Sequence, residues 1–215
     1  MDPSFWHERW ERQETGFHQS AANPRLVRNF GALSPAADSR VFVPLCGKSL
    51  DLHWLLAQGY RVAGAELSRI AVEHLFADLG VEPAVESAGA LSRFRAEGVD
   101  IFVGDIFDLS PAVLGAVDAV YDRAALVALP APMRERYAAH LVGLTGGAPQ
   151  LVVTYVYDQS RVDGPPFSVA DDEVARLYGG AYDLTPLERV EVEGGLKGKC
   201  AASEHVWKLA PRRAG

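Results

Sequence analysis

The sequence predicts an α/β fold: a mostly parallel sheet with helices on both faces and an antiparallel hairpin at its C-terminal end. Short apolar runs of strand length alternate with helical patterns between residues 40 and 157. Two β-rich runs, residues 184–192 and 203–209, flank the Gly-rich residues 194–198 and indicate the hairpin. The 215 residues suffice for one domain with a sizeable core. We expect a single domain over residues 1–215, with a Rossmann-like core at 40–209.

Residues 1–30 are predicted to form a helical cover over the ligand site. Trp6 and Trp10 are four residues apart and would share one face of a helix that ends by Gly16. A polar loop follows, and Pro24 favours the start of a second short helix that runs through residue 30.

The core is predicted to alternate strands and helices. Ser68 is a candidate N-cap for a helix that Gly80 ends, and Gly59 ends the helix before it. Further helices are predicted at 131–144 and 171–178. The five predicted parallel strands cover residues 40–45, 60–65, 99–104, 117–121 and 151–157.

Composition excludes several classes of protein. Lys and Arg total 21 against 28 Asp and Glu, a net charge of −7 with no basic run, which argues against a nucleic-acid partner. Residues 1–14 are charged throughout, so no signal peptide is expected, and the longest uncharged stretch, 141–157, is interrupted by Gly and Pro, so no membrane span is expected either.

Cysteine and histidine usage gives further expectations. Cys46 and Cys200 are too few for a disulfide framework and suit a reducing cytoplasm. We expect no metal site, because two thiols and scattered histidines have no ligand spacing. A monomer is the expected state.

A nucleoside site is predicted where the parallel strands end. Glu66 follows the second strand, about twenty residues after the turn that follows the first, where nucleoside-binding folds place a carboxylate against ribose hydroxyls. The alternative is a surface carboxylate near the helix that begins at Ser68. Cys46, in that first turn, is interpreted as a packed residue rather than a nucleophile.

The turn after the first strand, residues 44–49, limits which class of nucleoside ligand the site could bind. It has one glycine, Gly47, so both the G-x-G-x-x-G pattern of NAD sites and the phosphate-binding P-loop are absent. A ligand with a ribose and no phosphate fits better, and S-adenosylmethionine is the candidate that we favour.

S-adenosylmethionine would explain several aromatic and acidic residues. Its sulfonium cation is attracted to aromatic faces, which Trp6, Trp10 and Phe17 could provide; the alternative is that these side chains only anchor the helix. Asp105 ends the third strand and is either a contact of the adenine edge or a helix N-cap, while Ile106 could lie flat against the purine.

The substrate side of the predicted site follows the fourth strand. Arg123 could hold an anion such as a thiolate without titrating; the alternative is a structural ion pair with Asp122. His18 and Tyr157 are weaker candidates for the border of the pocket.

Together these residues resemble a known family. The segments that carry the resemblance are Phe5-Trp-His-Glu-Arg-Trp10, Gly16-Phe-His-Gln19, Val43-Pro-Leu-Cys-Gly-Lys-Ser49, Gly64-Ala-Glu-Leu-Ser68, Gly104-Asp-Ile-Phe-Asp108, Tyr121-Asp-Arg-Ala-Ala-Leu126 and Gly164-Pro-Pro-Phe167. They resemble the bacterial branch of the thiopurine S-methyltransferase family, from residue 5 to about residue 209.

The resemblance implies a class I S-adenosylmethionine-dependent methyltransferase fold with a seven-stranded sheet. It implies methyl transfer to an aromatic or heterocyclic thiol such as 6-mercaptopurine, and bacterial relatives are also associated with detoxifying methylation of selenium and tellurium compounds. The implied contacts of S-adenosylmethionine are Trp10, Leu45, Glu66, Asp105, Ile106 and Arg123, and the implied substrate side is Phe17, with His18 and Arg123 beside it.

One part of the family pattern does not align. The second arginine of the substrate side, near the C-terminal hairpin, has no clear counterpart, and Lys197 or Lys199 is the candidate replacement.

In the expected reaction the acceptor arrives as a thiolate held by Arg123, the catalytic residue, so no strong base is needed. An NAD-dependent oxidoreductase and a non-catalytic binding module are the alternative functions.

Overall fold

The computed structural model describes residues 3–12 and 19–212, which form one nine-stranded sheet with helices on both faces. The strands are β1 (Arg40–Pro44), β2 (Arg61–Glu66), β3 (Ala84–Ala88), β4 (Leu91–Ala96), β5 (Val99–Val103), β6 (Ala119–Arg123), β7 (Gln150–Tyr157), β8 (Tyr182–Glu191) and β9 (Ala202–Pro211). The helices are α1 (Pro3–Glu11), α2 (Pro24–Asn29), α3 (Leu50–Ala57), α4 (Arg69–Leu79), α5 (Pro111–Leu114), α6 (Ala131–Leu144) and α7 (Asp171–Tyr178). Short 3₁₀ helices cover Phe30–Leu33, Ile106–Asp108 and Leu126–Ala128.

The strand order is β3-β4-β5-β2-β1-β6-β7-β9-β8. Strands β5, β2, β1, β6 and β7 are parallel neighbours, and β9 and β8 add the C-terminal antiparallel hairpin. The predicted α/β class, with a mostly parallel core and a C-terminal antiparallel hairpin, is therefore confirmed, whereas the predicted count of seven strands is too low by two. The parallel order reverses on either side of β1, which places a crevice at the carboxyl ends of β1, β2 and β6.

Strands β3 and β4 extend the sheet beyond the seven predicted strands. They form an antiparallel hairpin that pairs with the free edge of β5. Their sequence signal is weak because β3 has no buried residue, and in β4 only Leu91 and Phe94 are buried. Backbone pairing therefore accounts for this hairpin better than an apolar pattern does.

The predicted helix ends agree with the local geometry. Ser68 caps α4 by accepting a hydrogen bond from the Ala71 amide at 3.3 Å, and Gly80 ends it with a φ of 69°. Asn23 caps α2 by accepting from the Arg25 amide at 2.8 Å, and Pro24 is the first residue of that helix, as predicted. Gly16, the predicted end of the first helix, lies outside the described residues.

Two apolar layers lie against opposite faces of the sheet. Phe42 of β1 packs in the layer that contains Leu141 of α6 and Val174 of α7. Val41 of the same strand packs in the other layer, with Leu52 of α3. This alternation follows from the period of two in a strand, and it confirms helices on both faces. In the described part of the chain, no helix has both the length and the apolar character needed to cross a membrane.

Candidate active site

A cavity of about 580 Å³ opens at the carboxyl ends of the parallel strands. This volume is in the range of sites that bind small molecules. The segments that follow β1, β2, β5 and β6 form its floor, and α1 contributes to its wall. The lining residues of these elements are Trp6, Arg9, Trp10, Leu45, Cys46, Gly47, Lys48, Ser49, Glu66, Leu67, Gly104, Asp105, Ile106, Phe107, Arg123 and Ala124.

Glu66 is the last residue of β2 and lies 6% exposed in the cavity wall. Its Oε2 accepts a hydrogen bond from the Gly47 amide at 2.8 Å, and its Oε1 accepts from the Ser68 amide at 2.7 Å. Burial raises the pKa of the Glu66 carboxyl, and these amide hydrogen bonds oppose the shift. A carboxylate can accept about four hydrogen bonds, so Glu66 retains acceptor capacity for a donor in the cavity.

The loop after β1 places its backbone close to the cavity. Leu45 has a φ of 46° and Gly47 a φ of 53°, so the chain turns sharply at both residues. A Cβ on Gly47 would lie 3.1 Å from Cζ2 of Trp10, which is itself buried against this loop. The buried Trp10 therefore closes one side of the cavity over the loop.

Cys46 is a packed residue of the same loop, as predicted. It is 5% exposed, and its thiol is not part of a disulfide. Burial and the nearby Glu66 carboxylate raise the pKa of the Cys46 thiol well above its usual range. A thiol that stays protonated is a poor nucleophile.

Asp105 and Ile106 follow β5 at the far side of the crevice. Asp105 is an N-cap, because its Oδ1 accepts a hydrogen bond from the Phe107 amide at 3.0 Å, and it also lines the cavity. Ile106 is buried, and its carbonyl oxygen lies 2.8 Å from Nε2 of His140. The two interpretations of Asp105, cap and ligand contact, are thus compatible.

Arg123 ends β6 in the cavity wall, but its partner is not the one considered from the sequence. Asp122 points into the core, where it accepts hydrogen bonds from the Leu126 amide at 3.0 Å and from Tyr137 Oη at 2.8 Å. The alternative pairing of Arg123 with Asp122 is therefore wrong, because neighbouring residues of a strand face opposite sides. Arg123 Nη1 instead lies 3.6 Å from Oδ2 of Asp51.

The wall around Arg123 contains residues whose place at the site is not evident from the sequence. Asp51, Tyr121 and Tyr155 all line the cavity. Burial, with a smaller contribution from Glu204, raises the pKa of Tyr155 to about 12. Asp51 gave no signal beyond an acidic residue in the first turn of a helix, which is a common structural preference.

A loop and a hairpin turn close the cavity beside Tyr155. Pro165, Pro166, Leu196 and Lys197 line it, and Lys197 Nζ donates to the Pro165 carbonyl at 3.0 Å. Of the two lysines considered above, Lys197 therefore lies at the cavity, whereas Lys199 is not among the lining residues.

The remaining residues predicted for the border of the site are Tyr157, Phe17 and His18. Tyr157 does not line the cavity, so the prediction that it borders the pocket is wrong. Its Oη instead donates a hydrogen bond to the Pro166 carbonyl at 2.7 Å, which stabilises the loop that contains Pro165 and Pro166. Phe17 and His18 lie outside the described residues. Within residues 3–12 and 19–212, no group of three or more His, Cys, Asp or Glu side chains is arranged to hold a metal ion.

Sequence comparison agrees with this geometry. The profile of a family described as thiopurine S-methyltransferase matches residues 1–210. The chain belongs to the thiopurine S-methyltransferase family. A thiopurine S-methyltransferase of Xanthobacter autotrophicus is 60% identical over 97% of this chain and 99% of the relative. One of Gluconobacter oxydans is 54% identical over 96% of this chain and 94% of the relative. The resemblance seen in the sequence motifs is confirmed.

Solved structures support the fold of this family member. A 1,6-didemethyltoxoflavin-N1-methyltransferase of Burkholderia thailandensis, with 1,6-didemethyltoxoflavin and S-adenosylhomocysteine bound, superposes with a TM-score of 0.64 at 15% identity, over 97% of this chain and 87% of that one. A TehB-like methyltransferase of Corynebacterium glutamicum gives 0.58 at 13% identity, over 98% of both chains. At these identities the likeness shows a class I methyltransferase fold.

Proposed function

We propose that this chain transfers the methyl group of S-adenosylmethionine to the sulfur of an aromatic or heterocyclic thiol, such as the thiopurine 6-mercaptopurine. Membership of the thiopurine S-methyltransferase family supports the reaction. The observation that carries the proposal is one cavity whose lining includes both the carboxylate of Glu66 and the guanidinium of Arg123.

The residues of the cofactor side suit a nucleoside without phosphates. Glu66 would accept from the ribose hydroxyls, because its hydrogen bonds with backbone amides leave part of the acceptor capacity of the carboxylate unused. Asp105 and Ile106 would meet the adenine edge and face, Leu45 would contact the ligand beside the loop, and Trp10 would cover its charged end. The proposed cofactor side is Trp10, Leu45, Glu66, Asp105, Ile106 and Arg123.

The acceptor side would bind an anion. When bound, S-adenosylmethionine supplies an electrophilic methyl group that a thiolate sulfur can attack in line. Arg123 would hold that thiolate through charge-assisted hydrogen bonds from its guanidinium. Positioning and exclusion of water by Trp10 and the Pro165–Pro166 turn would then supply catalysis, with no general base. Phe17 and His18 are proposed contacts on the same side, and Lys197 is a candidate second cation.

The decisive experiment is methyl transfer from labelled S-adenosylmethionine to a panel of acceptors. We expect transfer to 6-mercaptopurine and other aromatic thiols; selenite and tellurite test the alternative of a detoxifying role. Binding of S-adenosylmethionine with no transfer to any acceptor would instead favour a non-catalytic binding module.

The variant Arg123→Ala, measured in the same methyl-transfer assay, tests the proposed role of Arg123. We expect it to lower kcat/KM for 6-mercaptopurine by roughly tenfold to a hundredfold, since a hydrogen bond from a charged group is lost. Arg93→Ala is the control, because Arg93 also pairs with an aspartate, Asp100, but away from the cavity. Equal kinetics of Arg123→Ala and Arg93→Ala would remove Arg123 from the mechanism.

We further propose that the protein acts as a monomer in the cytoplasm. Its two free cysteines and acidic charge support this setting. Light scattering across a range of concentrations would test the monomer, since a mass that rises with concentration contradicts it.

A further inference from the structure

Asp51 is a buried carboxylate in the cavity wall, and it joins three parts of the chain. It lies in the first turn of α3 and is 1% exposed. Its Oδ1 accepts a hydrogen bond from the Asn23 amide at 2.6 Å. Its Oδ2 accepts from Tyr121 Oη at 3.0 Å and lies 3.6 Å from Arg123 Nη1. A buried carboxylate with this many partners is fixed in place.

We propose that Asp51 is the positioning residue of Arg123, an inference that rests on the proposed role of Arg123 toward the acceptor. Arginine has a long side chain with many rotamers, and a bound anion is held well only if the guanidinium is already oriented. Asp51 provides that orientation at Nη1. It also balances part of the positive charge, so that the cavity does not contain an isolated buried cation.

Tyr121 reinforces this arrangement. It precedes Arg123 by two residues on β6, so both side chains leave the strand on the same face. Burial and the Asp51 carboxylate raise the pKa of Tyr121 well above its usual range, so its hydroxyl remains a donor to Asp51. Asp51 Oδ2 therefore accepts a hydrogen bond from Tyr121 and forms an ion pair with Arg123.

The same carboxylate connects Arg123 with the segment that enters α2. Asn23 donates its backbone amide to Asp51, and its side chain donates to Oε1 of Gln19 at 3.2 Å. Gln19 lines the cavity. A displacement of residues 19–23 would thus be transmitted to Asp51 and from there to Arg123, which links the wall of the cavity to the geometry of the guanidinium.

The first test measures the guanidinium itself and needs no turnover. In protein labelled with ¹⁵N-arginine, rotation about the Nε–Cζ bond of Arg123 should be slow, because the ion pair with Asp51 restrains the guanidinium. In Asp51→Asn we expect this rotation to be at least severalfold faster. Asp100→Asn is the control: Asp100 is also a largely buried partner of arginines, but it does not line the cavity. Unchanged rotation in Asp51→Asn would overturn the proposal.

The second test is a double-mutant cycle on methyl transfer to 6-mercaptopurine. We expect Asp51→Asn to lower kcat/KM for the thiol roughly tenfold, while the Kd for S-adenosylmethionine stays within about twofold. In the Arg123→Ala background, Asp51→Asn should have no further effect. An equal loss with and without Arg123 would mean that Asp51 acts through the fold alone, which would also overturn the proposal.

A variant that does not fold and a protein that methylates no thiol must both be distinguished from a failure of the Asp51 proposal. If Asp51→Asn does not fold, Tyr121→Phe removes one donor from the same Oδ2 and keeps both charges; it must change Arg123 rotation severalfold, and no change sinks the proposal. If the wild-type protein methylates no thiol at all, the proposed function fails, and the rotation measurement still decides whether Asp51 orients Arg123.

Discussion

At the scale of single residues, two carboxyl groups on β2 and β6, the strands on either side of β1, have different environments. Glu66 accepts only backbone amides and faces the cavity, whereas Asp122 is 0% exposed and accepts from the Leu126 amide and the Tyr137 hydroxyl in the core. The place of Glu66 directly after a predicted strand is enough to predict its ribose role from the sequence. The partner of Arg123 could not be predicted in this way, because Asp51 is 72 residues away and only the folded sheet brings the two together.

Glu66→Gln should weaken binding of S-adenosylhomocysteine by roughly tenfold to a hundredfold, because ribose hydroxyls lose a charged acceptor. Titration calorimetry with 2′-deoxy-S-adenosylhomocysteine, which lacks one ribose hydroxyl, tests the same prediction through a second binding affinity. Wild-type protein should bind the analogue less tightly than the parent compound, and Glu66→Gln should bind both alike. Glu173→Gln is the control, since Glu173 pairs with Arg134 away from the cavity. A full preference for the 2′-hydroxyl in Glu66→Gln would contradict the ribose role.

Asp122 should make the stability of the protein depend on pH. Burial raises its pKa from the ordinary 3.8 to about 6, and its hydrogen bonds with backbone amides and Tyr137 only partly oppose this shift. The folded chain therefore binds the proton more tightly than the unfolded chain does. The stabilisation from that proton is complete below pH 3.8 and is lost as the pH rises through about 6.

Asp122→Asn mimics the neutral form, so it should remove this dependence. The free energy of unfolding of the variant, relative to wild type, should increase between pH 5 and pH 8 by on the order of 1–2 kcal/mol. Urea unfolding at several pH values measures this difference. A constant difference across the range would show that Asp122 does not titrate there.

At the scale of elements, the sequence predicts what is buried and overlooks what is held by backbone pairing. The helices at 131–144 and 171–178 were predicted with the bounds that the structure has, because their apolar faces are buried. The β3–β4 hairpin was overlooked because β3 buries no side chain. Strand β6 begins two residues later than predicted, at Ala119, since Val117 is apolar but precedes the pairing with β1.

The close packing around Gly64 explains why a glycine occupies the middle of β2. It pairs with Val43 on one side and Ile101 on the other. A Cβ there would lie 2.8 Å from Cys46 Sγ and 2.8 Å from Ile101 Cδ1. Gly64→Ala should therefore destabilise the fold by about 1–3 kcal/mol.

Thermal unfolding measures the effect of Gly64→Ala. Adding Ile101→Val removes Cδ1 and should restore part of the loss. Gly31→Ala is the control, because nothing lies within 4 Å of a Cβ at Gly31. Equal stability of the Gly64→Ala and Gly31→Ala variants would contradict this account of the strand.

At the scale of the whole molecule, the site is assembled from segments far apart in the chain. Strand ends could be predicted to converge, because parallel strands bring their carboxyl ends to one edge of the sheet. This rule brought Glu66, Asp105 and Arg123 together correctly. It could not find the wall formed by the Pro165–Pro166 turn and Lys197, since the closure of a long loop on a hairpin turn depends on tertiary contacts. Tyr157 was misplaced for the same reason.

Because the cavity joins α1 to the ends of four strands, its ligand should stabilise the folded chain as a unit. S-adenosylmethionine at one hundred times its Kd adds about 2.7 kcal/mol if it binds only the native state. For a domain of this size that corresponds to a rise in Tm of roughly 5–11 °C. NAD at the same concentration should leave Tm unchanged, because the turn after β1 has one glycine and lacks a pyrophosphate cradle. Differential scanning calorimetry checks both. A rise with NAD and none with S-adenosylmethionine would overturn the assignment of the cavity.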